Sequence, residues 1–224
     1  MVNRQINIEN NNKLKKLYEK VSSEYIKAWE KKFNYDAPTK LTTFGIVDPE
    51  NYDTDNGILF IGKETRGEVP DFLLWLNMMA TKFETLEDKD RTKHPQIWYN
   101  IGRWAKFIHN PRIDKQTLLS EKEKAFEGLK HIAFTNINKV YGGSSSKNEF
   151  RGLSENQMIK NILQEEICII SPKTIVLCGK GLIDIFEGIK TDAKIIEMPH
   201  PSARIKKEDM IKQLGLQLKE FDCL

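Results

Sequence analysis

The chain of 224 residues, 39% apolar and 30% charged with a formal net charge of +3, is long enough to bury the core of one large domain and has the composition of a soluble globular protein. No apolar run approaches a membrane span, the mild positive charge permits a local basic surface without demanding one, and Cys168, Cys178 and Cys223 form no C-x-x-C pair. A membrane protein, a disulfide scaffold and a cysteine-rich zinc or iron–sulfur centre are thereby disfavoured. The polar start, MVNRQINIENNN, shows no secretory pattern, so the expected location is a reducing cytoplasm.

From Lys13 to Phe33, apolar residues at Leu14, Leu17, Val21, Tyr25, Ala28 and Trp29 recur at helical spacing, and residues 1–40 are expected to form an N-terminal helical extension to a domain over 41–224. The polar face of that helix mixes both signs of charge, which argues for packing and against membrane binding. Leu41–Val47 reads as a short strand or extended arm, and Asp48–Asn56, rich in Pro, Asp and Asn, as a loop. Ile58–Ile61 is an uncharged apolar run suited to a strand covered on both faces. It ends in the turn Gly62-Lys63-Glu64-Thr65-Arg66-Gly67. Asp71–Met79 looks helical, Thr81–Lys93 is a charged connector, and Ile97, Ile101, Trp104 and Ile108 mark a further amphipathic helix.

Glu121–Lys130 predicts another helix, and His131–Thr135 a second strand that runs into Thr135-Asn136-Ile137-Asn138-Lys139 and a YGGSSSKN loop. Ser154 and Gln157 form a candidate capping box for a helix that Pro172 terminates. Thr174–Cys178, rich in β-branched residues between Pro172 and Gly179, is the clearest buried strand. A short helix over Leu182–Phe186, a fourth strand over Lys194–Met198, the turn PHPSAR and a terminal helix over Lys206–Phe221 complete the chain. Strands separated by helices predict an α/β fold with a mostly parallel sheet joined by right-handed crossovers.

In such a sheet the polar loops that leave the strands share one rim, where ligands are met. The rim candidates are Glu64 and its neighbours, Asn136 and Asn138, Gly179 and Gly181, and His200. An amide donates and accepts at once, a histidine can donate to a developing oxyanion, and a carboxylate can orient water or face a cation, which suits a site that reads a flat heterocycle. His131 and His109 have structural readings, the latter as a cation near a helix C-terminus. His94, before Pro95, caps a helix or faces the rim. The G-K-G after the third strand lacks the third glycine of a dinucleotide fingerprint, because Asp184 stands there.

The series GKETRG, TNINK, SPKTIVLCGKG and MPHPSAR, each at or around a strand end and spread over Gly57–Arg204, resembles the uracil-DNA glycosylase superfamily. The nearest branches are those whose second motif reads T-N-x-x-K. The resemblance implies a three-layer α/β/α sandwich around a four-stranded parallel sheet of order 2-1-3-4, with an added N-terminal helical segment. It also implies flipping of a damaged or deaminated base out of DNA and hydrolysis of its N-glycosidic bond, without metal or organic cofactor. The partner implied is DNA that contains such a base. By the same resemblance Asn136 reads the edge of the flipped base, with Gly62 and Phe72 beside it. His200 bonds the carbonyl oxygen that gains charge as the base leaves, and Glu64 orients water or stabilises the sugar cation. Lys63, Arg66, Ser202, Arg204 and Ile205 would meet DNA, Ile205 as the apolar wedge. The first motif lacks the proline common in the family, and the family's acidic group falls in some branches at the second position, here Lys63, and in others at the third, here Glu64. A binding protein that keeps the fold without the chemistry, and an enzyme of free nucleotides, are the alternative readings.

Overall fold

The computed structural model describes residues 2–33, 41–63, 65–66, 71–86, 95–120, 122–142 and 157–222. Three short apolar runs set its centre: strands β2 (Ile58–Gly62), β4 (Ile132–Asn136) and β6 (Thr174–Cys178) are buried at all five positions each, so both faces of the sheet are covered. β7 (Lys194–Met198) alternates in exposure, as a strand at the sheet's edge does. The expected sheet of four strands has five, in the order β1-β4-β2-β6-β7. The addition is β1 (Gly45–Ile46), which runs antiparallel to β4 with Gly45 opposite Phe134. The other four strands run parallel to one another.

The N-terminal helix α1 spans Val2–Phe33, a start eleven residues earlier than the apolar periodicity indicates. The additional turns are polar because their work is hydrogen bonding. The Asn7 amide donates to Pro49 O and Tyr52 O, both at 3.0 Å. Asn11 pairs with both backbone groups of Ile46 at 2.9 Å, which caps the open side of the edge strand β1. Further along, Leu14, Leu17, Tyr18 and Tyr25 enter the same hydrophobic core as the sheet.

Helix α2 (Phe72–Lys82) starts at Asp71, whose carboxylate accepts from Leu74 N, and α3 (Pro95–His109) carries the expected aromatic stripe. Helix α4 (Lys115–Ser120) has no apolar periodicity to announce it and begins where Asp114 accepts from Thr117 N at 2.8 Å. The predicted Glu121–Lys130 helix is divided into α5 (Lys122–Glu127) and a 3-10 turn over Gly128–His131 that feeds β4. Helix α6 (Gln157–Ile170) packs on α1, and α7 (Lys207–Asp222) packs on β7 and α3. The capping candidate Ser154 and residues 143–148 of the expected YGGSSSKN loop lie outside the described residues. Leu182–Phe186 is a single 3-10 turn over Ile183–Phe186.

Candidate functional site at the C-terminal rim of the sheet

Parallel register makes the rim level. Gly62 stands opposite Asn136, Ile61 opposite Leu177, and Cys178 opposite Met198. Neighbouring strands are about 4.8 Å apart, so the ends of β4 and β7 are separated by three spacings, about 14 Å. Asn136 is therefore at one side of the rim, His200 at the other, with Gly62 and Gly179 between them.

Asn136 is the last residue of β4 and is 2% exposed. Its Oδ1 occupies the space where a side chain at residue 62 would begin, and an added Cβ on Gly62 would collide with it. The absence of a side chain at Gly62 thus gives the Asn136 carboxamide its place. The following loop is tied down group by group. Ile137 N donates to Gly62 O and Asn138 N to Lys63 O, both at 2.9 Å. Lys139 N donates to Tyr25 Oη at 3.0 Å, and Lys139 O accepts from Thr42 N at 2.8 Å. Val140 N donates to Asn138 Oδ1 at 3.2 Å.

Beneath this loop lies a buried polar cluster that joins two residues of the Thr135–Lys139 motif to a helix the strand ends do not point to. Lys139, 1% exposed, directs its Nζ to Thr135 Oγ1 at 2.7 Å, Asn136 O at 2.6 Å and both carboxylate oxygens of Glu166 at 2.6 and 2.7 Å. Glu166 is fully buried on α6 and also accepts from the hydroxyls of Thr135 and Tyr18. Burial holds the Lys139 ammonium below its ordinary pKa, with Glu166 opposing that shift, while burial and the nearby Glu166 carboxylate raise the Tyr18 phenol. The sequence signals were present but ambiguous: a lysine four residues after Thr135, and a glutamate at a buried position of an apolar helix.

In the middle of the rim, Gly179 has φ +139°, which an L side chain rarely adopts. The stem of Lys63 uses the opening, with its Cε 3.2 Å from where a Cβ on Gly179 would stand. Gly179 N donates to Met198 O at 2.9 Å, which ties this loop to β7.

His200 is exposed, on a turn closed by Ala203 N donating to His200 O at 2.7 Å. Ser202 N donates to His200 Nδ1 at 3.2 Å, and Ser202 Oγ lies 2.8 Å from the same nitrogen. A backbone N–H can only donate, so Nδ1 is the acceptor and a neutral ring carries its proton on Nε2. The turn is anchored from below by buried Asn100, whose Nδ2 donates to Pro201 O at 2.6 Å.

The other expected site residues divide. Arg204 and Ile205 are exposed on the His200 turn, Ile205 at 43%. Arg66 forms, by its backbone, a small parallel pairing with Gly142 in β3 (Thr65–Arg66) and β5 (Tyr141–Gly142). Glu64 lies outside the described residues, as does His94. Phe72 is 3% exposed, with its ring among those of Phe44, Trp75, Trp98 and Phe134, so it belongs to the core behind the rim. The ring of Phe134 comes nearer, with its Cζ beside Gly62. His109 and His131 form an edge-to-face pair, ring centroids 5.5 Å apart, with His131 just before β4 and so at the opposite end of the sheet. Among the described residues there is no group of three or more His, Cys, Asp or Glu side chains able to hold a metal ion, and no helix long and apolar enough to cross a membrane.

No protein-family model matches the chain, and no curated protein matches it. The functional reading therefore stands on the residues and the geometry.

Proposed function

We propose that the chain is a DNA glycosylase-like hydrolase that cleaves the N-glycosidic bond of a deaminated or damaged base of uracil type after flipping it from the helix. The observation that carries this reading is the placement on one rim of a fixed carboxamide, Asn136 against Gly62, and a histidine whose Nδ1 accepts from Ser202 N, so that a neutral ring carries its proton on Nε2. A hydrolytic glycosylase needs those two functions: an amide to read the base edge, and a neutral donor for the carbonyl oxygen that takes up charge as the electron pair of the C1′–N bond passes to the base. Water completes the reaction at C1′, and Glu64 is the carboxylate assigned to orient it. Arg204 contacts the backbone and Ile205, an exposed apolar residue on the same turn, fills the gap left by the base. The parallel strands taken alone, β4-β2-β6-β7, stand in the order second, first, third, fourth, which is compatible with the α/β/α sandwich of the glycosylase superfamily carrying an extra edge strand.

The test is a cleavage assay on labelled single- and double-stranded oligonucleotides that each contain one uracil, hypoxanthine, xanthine or mismatched thymine, with alkali to reveal abasic sites. Base release that falls at least about tenfold in His200→Ala, and also in Asn136→Ala, is expected. Unchanged release in His200→Ala overturns the assignment. Lys63, laid across Gly179 in the middle of the rim, favours a second reading, a binder or enzyme of phosphate-bearing nucleotides. Salt-dependent DNA binding without cutting, or turnover of free nucleotides, would put that reading first.

A further inference from the structure

The buried cluster under the Asn136 loop joins three segments that are far apart in sequence. Tyr18 and Tyr25 come from α1, Glu166 from α6, Thr135 from β4 and Lys139 from the loop itself. An ion pair this deep is not an economical way to stabilise a fold, since apolar residues of similar volume commonly do as well or better. Its bonds instead converge on the placement of one short turn. Lys139 Nζ folds back onto Asn136 O, the Lys139 backbone N–H is held by the Tyr25 hydroxyl, and that hydroxyl also donates to Asn138 Oδ1 at 3.1 Å. The Phe44 ring, 5.5 Å from Lys139 Nζ, covers the ammonium from another side. The turn therefore cannot shift along β4 without breaking a charge-assisted bond, a backbone bond to β2 and a bond to α1 together.

We infer that Lys139 and Glu166, with Tyr18 and Tyr25 of the N-terminal helix, are positioning residues that hold Asn136 in its reading geometry, so that α1 is an integral support of the site. This rests on the reading of Asn136 as the group that recognises the base. Its physical content is separate, because the carboxamide is fixed or it is not, whatever it recognises. A displacement of about 1 Å in a positioning group costs on the order of a hundredfold in rate.

The test uses the full chain. The paired variant Lys139→Met/Glu166→Leu removes both charges at similar volume, and Tyr25→Phe removes a single hydroxyl in a chain expected to stay folded. The first readout is the side-chain amide pair of Asn136 in a 15N correlation spectrum, assigned by its loss in Asn136→Asp. In the parent it should be a sharp, slowly exchanging pair away from the averaged amide position, and in the paired variant it should move toward that position or broaden. The second is single-turnover base release, expected to fall about ten- to a hundredfold while oligonucleotide affinity stays within about twofold. Tyr25→Phe should shift both in the same direction by less. An unchanged Asn136 amide pair in either folded variant overturns the inference, as does unchanged base release where the parent cuts. If the parent cuts no oligonucleotide, the glycosylase reading fails by itself, and the amide spectrum still decides whether Asn136 is held by this cluster.

Discussion

The two sides of the rim are built in opposite ways. On the β4 side the Asn136 loop is buried, its backbone bonded to β2, α1 and residue Thr42, with a buried ion pair beneath it. On the β7 side His200, Ser202, Arg204 and Ile205 are exposed, and the bonds that shape their turn include a buried one, Asn100 to Pro201, and bonds within the turn itself. The difference follows from what each must do in the proposed reaction. A group that discriminates between similar bases must not adapt to the wrong one, so its position is fixed by protein on every side. A group that meets the base as it enters must be reachable, and a short turn on a rigid strand end gives reach without loss of direction.

The contrast is broken most severely by leaving one charge of the buried pair without its partner. Glu166→Ala would strand Lys139 in the core together with the hydroxyls of Thr135 and Tyr18, and is expected to cost about 3–5 kcal/mol in a urea titration. The paired replacement Lys139→Met/Glu166→Leu should cost far less than that single change. A stability loss in Glu166→Ala no larger than that of a surface substitution, roughly 0.5 kcal/mol, would mean that the cluster supports nothing.

Gly62→Ala is the next largest. The new methyl group meets Asn136 Oδ1 on one side and the Phe134 ring on the other, and overpacking of this kind costs about 1–3 kcal/mol. The carboxamide is the softer neighbour and should be the one to move. Base release should therefore fall more than stability does, which a paired melt and cleavage assay would separate. Asn100→Ala comes third: it leaves Pro201 O without its donor and the buried Arg103 Nη1 without the Asn100 Oδ1 acceptor, for about 1–2 kcal/mol. Here the expected signature is faster amide exchange confined to residues 200–205, with the β4 side untouched.

How much of this could be read from the sequence depends on the kind of signal. β2 and β6 are apolar runs bounded by glycine or proline, and they fall where the pattern puts them. The ends of the four parallel strands give the rim, so Asn136 after β4, Gly62 and Lys63 after β2 and His200 after β7 could be named in advance as its candidates. The edge strand β1 lies within the stretch Leu41–Val47 expected as a short strand or extended arm, but its two residues carry no period and its cover, Asn11, is 35 residues away from Ile46 in sequence, so neither its bounds nor its place in the sheet could be read. The same asparagines hid the first turns of α1, whose polar residues are buried by hydrogen bonding and not by hydrophobicity. The pairing of Lys139 with Glu166 was illegible for a related reason: each taken alone reads as a solvated charge, and only the fold brings the two side chains, 27 residues apart, together. The resemblance puts Phe72 beside the base, but a motif does not say which way a ring on the following helix packs, and Phe134 on the strand itself comes closer to Gly62.

The smallest expected effects concern the exposed side and are the sharpest check on the comparison. His200→Ala and Ser202→Ala each remove exposed atoms, the Nδ1 and the hydroxyl that face each other within the turn, so each should change stability by no more than about 0.5 kcal/mol. Their effects on base release should differ all the same. His200→Ala deletes the donor. Ser202→Ala deletes only the hydroxyl, because the backbone N–H of residue 202 still donates to Nδ1 and still leaves the proton on Nε2. A fall of at least about tenfold in the first and only a few-fold in the second is expected. Equal losses would instead assign the orientation of the ring to the Ser202 hydroxyl, and the backbone bond would then be a consequence of the turn and not the cause of the tautomer.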